Sequence, residues 1–464
     1  MPVRSTITPA KTTILMNRTL ERVLGLRELI FIVIGTVIGS GIFIVPATVL
    51  QQTGGDVGPA LLVWLIAGVL SLLGALTYGE LGAMDPEAGG LYVYIRDAFG
   101  PLPAFLYGWT LFFVISSGSV ATLAVATTGY LSQLVPLSPL ESRLAALAMV
   151  AIIAIINVRG TRESARVQDW STLIKTVAIV GLSLVMLVLG RGLSQTAGHV
   201  WPASLKPSLL SGIGLAMVGV LWAYEGWQYV TFSAGETRDP QRTFPRGIII
   251  GTALLIAIYM LANVGYIAAL GPAAAAQSPR IAADAVGVTM GSAAAKLVAA
   301  TIVLSMFSAA NGLTLTAPRV YYAMARDGVF FQRLATVHPR FGTPAFAVIA
   351  SSLWAMILAA TGTFTVLLTY VVFTGWIFYA LGALSIFSYR RSRPNATRPF
   401  RVPGYPVTPI LFVLASAAIV INTLLTQPGI ALRGLIVVAI GVPAFYAWRV
   451  QRRRRATVSG DASA

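Results

Sequence analysis

Residues 58–83 read "GPALLVWLIAGVLSLLGALTYGELGA" and carry a single charge, Glu80. About 20 consecutive apolar residues suffice to cross a bilayer as a helix. The chain contains a dozen such blocks, bounded by Gly, Pro and charge. In hydrocarbon the backbone must satisfy its own hydrogen bonds, which leaves helices as the spanning structure for segments of this length. The chain is therefore read as an all-α integral membrane protein with 12 transmembrane helices. Composition agrees: 56% of the 464 residues are hydrophobic and 11% are charged, against about a quarter charged in a soluble domain.

The net charge of +17 is then a topology signal. Assigned to alternating loops, 26 of the 33 basic residues fall on one side, 6 on the other, and Lys175 falls inside a span. That asymmetry places both termini in the cytoplasm, and the even number of spans agrees. The terminal "RVQRRRRATVSG" reads as a cytoplasmic stop signal that contacts the lipid bilayer rather than nucleic acid. The first 26 residues lack the short apolar core of a cleaved signal peptide, so the first span is expected to direct insertion, at the cell's plasma membrane. The chain has no cysteine and two histidines, His199 and His338, both expected in loops at the surface. A thiolate or imidazole metal centre is not expected, nor is any cofactor. Membrane acyl or glycosyl transferases need a catalytic His, Cys or clustered acids. The chain has none of these within its spans, so it reads as a carrier rather than an enzyme.

Two spans are interrupted. "GTVIGSGIF", Gly35 to Phe43, places three glycines and a serine mid-membrane, where glycine costs helix stability. Gly35 and Gly39 also have the spacing of close helix packing. Span six contains "AYEGW", Ala223 to Trp227, with a charge at mid-depth. Span one opens the first five spans and span six the next five. Five spans per unit is an odd number, so the two units insert in opposite orientations. Matching breaks in inverted halves point to a transporter binding site. After a break, a half-helix offers free N–H groups to a carboxylate. Before it, free carbonyls suit an ammonium. Together they suit a zwitterion such as an amino acid.

The stretches "GTVIGSGIF", "TYGELGAMDPEAGGLYVYIRDAFGPLPAFLYGW", "WAYEGWQYVTFSAGETRDPQRTFPRGIIIG" and "SAANGLTLTAPRVYYAMARDG" resemble the amino acid–polyamine–organocation (APC) superfamily. The similarity is greatest to bacterial members of the L-type amino acid transporter group and covers roughly residues 25–450. It implies a LeuT-like fold: repeat 1 over 27–190, an external loop over 191–210, repeat 2 over 211–390, two extra helices over 391–450, and flanking cytoplasmic segments 1–26 and 451–464. It also implies amino acid transport by alternating access, by sodium-independent exchange or proton symport. The alternative is antiport of a cationic amino acid or polyamine with its decarboxylation product. Carried over residue by residue, the amides of Ser40 and Gly41 hold the substrate carboxylate, with Gly39 permitting close approach. The carbonyls of Val37, Trp222, Ala223 and Glu225 lie around the α-amino group. Trp222 is expected to gate the site.

Lys175 lies within span five, where a charge is costly and marks function. Snorkelling to the headgroups is the plainer alternative. The resemblance places its ammonium where sodium-coupled relatives hold the ion against span one. Glu225 departs from the glycine of many L-type relatives and is expected to face the substrate, or to serve as a structural hydrogen-bond partner. Glu236 is expected to pair with Arg246 and Arg238 in an inner gate, and Glu80 to be a structural partner. Thr36, Tyr107, Ser116, Asn311, Thr369 and Tyr370 are further candidates for the site's lining. With no cysteine, no disulfide-linked partner subunit is expected.

Overall fold

The computed structural model describes residues 20–458 apart from 199, 205, 206, 362 and 363. His199 therefore lies outside the described residues, as do the side chains of Thr369, Tyr370 and Arg452 to Arg455. The first span is two helices, α1 (Leu26–Val37) and α2 (Gly41–Gln52), bent by 50° across residues 38–40. The second is α3 (Val57–Met84), followed by the short amphipathic α4 (Leu91–Phe99). The third comprises α5 (Pro101–Thr110), a π turn over Leu111–Ile115, and α6 (Ser116–Leu131). α7 (Pro139–Arg159) and α8 (Thr161–Leu189) complete the first half.

Span six again divides, into α9 (Pro207–Ala223) and a 3-10 segment, Trp227–Glu236. α10 (Pro240–Leu270) follows, then two short helices, α11 (Pro272–Gln277) and α12 (Ile281–Met290). α13 (Ser292–Thr316) and α14 (Pro318–Arg326) form the eighth span. The remaining helices are α15 (Ala345–Thr361), α16 (Phe364–Ser392), α17 (Val407–Thr426) and α18 (Pro428–Val458).

Ten continuous segments are long and apolar enough to cross a membrane, and the bent pair makes eleven. The twelfth expected span, 343–361, corresponds to α15. Its 17 residues rise about 26 Å, short of the roughly 30 Å hydrocarbon core, so the count of twelve is not reached by length. Span three runs over 31 residues, Pro101–Leu131, and the π turn sits in its middle. The Leu111 carbonyl accepts the Ser116 N–H of that turn and also the Tyr321 hydroxyl, at 3.3 Å.

Helix boundaries follow local chemistry. Pro101, Pro139, Pro240 and Pro318 sit in first turns, where the missing N–H has no intrahelical use. Ser138 and Glu141 form a reciprocal cap at the start of α7. Among the described residues no strand forms. Leu24 and Thr237 make one parallel bridge, and the N–H groups of Val23 and Leu24 donate to the Glu236 carbonyl at 2.8 and 2.9 Å. The segment before span one is thereby tied to the end of span six.

Candidate functional site

The two breaks meet at glycines. Ile38 leaves the helix with ψ 90° and Ser40 opens α2. A side chain at Gly41 would put its Cβ 2.7 Å from the Ala223 Cβ. On the facing segment Gly226 has φ +127°, and a Cβ there would lie 2.9 Å from the Thr36 carbonyl oxygen. Thr36 Oγ1 donates to the Gly226 carbonyl at 3.0 Å. Each glycine thus lets one unwound segment rest on the other. Gly35 serves differently: a Cβ there would overlap the Gln168 and Thr172 side chains, so it permits α1 to pack on α8.

Unwinding exposes carbonyls that must find donors inside the membrane. Lys175 is fully buried. Its Nζ donates to the carbonyls of Gly35 at 2.8 Å, Ile38 at 2.6 Å and Ser305 at 3.3 Å. The ammonium therefore caps the end of α1 and does not snorkel. Ser305 Oγ lies 2.8 Å from the Ile38 carbonyl and 3.1 Å from that of Gly39. Tyr259 Oη lies 2.9 Å from the Ala223 carbonyl and 3.3 Å from that of Val37, so one hydroxyl bridges both breaks. The Val37 and Ala223 carbonyls each keep a second lone pair for another donor.

Between the breaks lies a small chamber of about 50 Å3. Val37, Gly39, Ser40, Gly41, Trp222, Ala223 and Glu225 all line it. Thr36, Ser119, Thr122 and Tyr229 complete its polar wall. Ser40 Oγ is buried with no partner among the described residues. The Trp222 ring reaches to 3.4 Å from where a Gly41 Cβ would stand, closing one side. Glu225 Oε1 accepts from Gln228 Nε2 at 2.6 Å and from the Tyr379 hydroxyl. One oxygen of the carboxylate is therefore held by its own segment and by α16.

Glu236 is not paired with Arg246 or Arg238. Both of these arginines are exposed, while Glu236 and Arg319 are each 1% exposed at their side chains. Arg319 Nε and Nη2 reach the two Glu236 oxygens at 2.6 and 3.0 Å, and Nη2 also meets Thr161 Oγ1 at 2.9 Å. Two parallel bonds satisfy a carboxylate that exposed arginines would leave half-solvated. Glu80 is the structural partner expected. Arg390 binds it at 2.9 and 2.7 Å, and the Val402 N–H donates to it at 2.7 Å. Nearby on α4, Tyr92 donates to Asp327 at 2.8 Å. Burial, and next the Asp327 charge, push its phenol well above the ordinary tyrosine range.

Of the further lining candidates, Thr36 reaches the chamber. Tyr107 and Ser116 stop short of it, and Ser119 is the α6 serine that reaches it. Asn311 lies in a separate buried network with Asn157 and Gln168, at 2.9 Å from each. Residue patterns alone pass over Tyr259, Ser305, Tyr379 and Arg319. The one sequence signal for Arg319 is its place directly after Pro318 in the largely apolar run "LTLTAPRVYYAMA". His338 is half-buried in its loop and accepts the Arg340 and Phe341 N–H groups. No cluster of metal-ligating side chains occurs among the described residues.

The sequence pattern of a family described as Amino acid permease matches residues 24–445. Human (Homo sapiens) b(0,+)-type amino acid transporter 1 is 35% identical over 420 residues, 88% of this chain and 84% of that protein. Human cystine/glutamate transporter is 32% identical over 435 residues, covering 92% and 85%. Large neutral amino acids transporter small subunit 2 of Mus musculus is 31% identical over 438 residues, covering 92% and 81%.

Proposed function

This chain belongs to the amino acid permease family and transports amino acids, and we propose that it does so by alternating access through the chamber between the two helix breaks, without sodium. The observation that carries this reading is the joint placement of Lys175 and the chamber. An ammonium occupies the carbonyl end of α1, where a coupling cation would otherwise be held. The substrate carboxylate is assigned to the Ser40 and Gly41 amides at the start of α2, where helix-start N–H groups lack intrahelical partners. Its ammonium is assigned to the free lone pairs of the Val37 and Ala223 carbonyls, together with those of Trp222 and Glu225. Trp222 closes the site, and the small chamber volume means that it must swing for substrate to enter.

The 26 to 6 division of basic residues supports an orientation with both termini in the cytoplasm, as in a plasma-membrane carrier. On that side Glu236 and Arg319 form the inner latch. Repeats over 27–190 and 211–390 describe the two halves, since each opens on one of the facing breaks. One relative is named as a small subunit. The lack of cysteine excludes a disulfide from this chain to a partner and bears on no other kind of association. Glu225 favours a second reading for specificity, because a carboxylate in the chamber wall suits a cationic or small polar side chain.

Counterflow into proteoliposomes, with a panel of amino acids and polyamines and with or without a pH gradient, tests the function. Wild-type protein is expected to exchange amino acids equally in sodium and choline buffers. A strict sodium requirement would contradict the proposal. Cationic substrates ranked above neutral ones, with the order reversed in Glu225→Gly, would support the second reading.

A further inference from the structure

A large cavity lies away from the chamber, on the membrane face that carries most of the arginines. It measures about 980 Å3. Phe112 and Phe330 form its buried floor, with ring centroids 5.6 Å apart. Trp448 of α18 leans over it, 5.6 Å from Phe330 and 5.1 Å from Phe331. Arg326 and Arg333 stand at its rim, both exposed. Arg326 lies over the Tyr322 ring, and among the described residues neither arginine has an acidic partner within ion-pair distance.

An apolar groove ending in two cations fits a molecule with an apolar chain and an anionic head. The flanking segments of this sequence do not match. Residues 1–19 contain Arg4, Lys11 and Arg18 and no acid, and residues 452–464 carry four consecutive arginines against one aspartate. Trp448 and the adjacent Arg449 mark the level at which aromatic and basic side chains meet headgroups. We propose that this groove is a binding site for one anionic phospholipid, its phosphate on Arg326 and Arg333 and one acyl chain along Phe112, Phe330 and Trp448. Neighbouring lipid supplies the same apolar contact, so selectivity comes from the headgroup. At about 1 kcal/mol per arginine near an anionic headgroup, two arginines give a preference of roughly 30-fold over a zwitterionic lipid.

The test titrates detergent-purified full-length protein with phosphatidylglycerol or phosphatidylcholine of identical acyl chains and counts bound lipids by native mass spectrometry. Wild type and Arg340→Gln, a loop arginine outside the groove, should retain phosphatidylglycerol about 30-fold better. Arg326→Gln/Arg333→Gln should bind the two lipids alike. Ala350→Phe fills the groove and leaves every arginine in place, so it keeps the test open if the double variant does not fold. It should lose the tightly held lipid. Equal retention of both lipids by wild type, or undiminished phosphatidylglycerol preference in either groove variant, would overturn the assignment. Because the readout is binding, it stands apart from whichever substrate the carrier moves.

Discussion

Gly41 and Gly226 set how closely the two half-helices approach, and both can be tested by adding carbon. Gly41→Leu should abolish uptake while the protein still inserts, because even a Cβ would sit 2.7 Å from Ala223. Gly226→Ala adds the strain of a side chain at φ +127° to its clash with the Thr36 carbonyl, so it should both slow transport and lower thermal stability. Uptake by proteoliposomes, with surface expression as the control, checks both. Lys175→Ala removes the donor from two carbonyls freed by the break. It should abolish uptake with insertion intact, and wild-type turnover in that variant would remove the lysine from the mechanism. At this scale the site is largely legible in sequence. A break is a local property, written in Gly39, Gly41, Gly226 and the charge of Glu225. The donors that answer it are less legible: Tyr259 lies 36 residues from Ala223, and Ser305 lies 267 from Ile38.

The Glu236–Arg319 pair links the end of span six to α14 and, through Thr161, to α8. A buried ion pair is weak evidence for stability, since its desolvation offsets its attraction. Cutting one side is a different matter. Arg319→Ala leaves a buried carboxylate alone and should cost about 3–5 kcal/mol, seen as a lowered melting midpoint. Glu236→Leu/Arg319→Met replaces the pair with apolar bulk and should restore the midpoint. If the pair opens and closes in the transport cycle, the same variant should still transport more slowly than wild type. Normal turnover there would reduce the pair to scaffold. Sequence reading finds Glu236 but assigns it sequence-near arginines, because proximity along the chain is all that one sequence displays. Its partner lies 83 residues away. The π turn in span three escapes for a related reason: nothing in "LFFVI" departs from an ordinary apolar helix, and a side chain that bonds to it, Tyr321, comes from another span.

For the whole molecule, hydropathy settles the class: a multi-pass helical membrane protein whose apolar blocks dictate helices, while the reading as a carrier comes from the breaks and the family. The exact span count is less well determined, since α15 is too short to be assigned by length. The central claim is that an amino acid sits between the two breaks with its carboxylate at the start of α2 and with no sodium ion. The chain has no cysteine, so Ser40→Cys would introduce the sole thiol, at a buried chamber position whose hydroxyl has no partner among the described residues. The decisive measurement is the rate at which a membrane-permeant thiol reagent modifies that cysteine in sodium-free proteoliposomes, with and without a transported amino acid. Substrate should slow modification at concentrations that support uptake. An unchanged rate, or protection that appears only when sodium is added, would contradict the account.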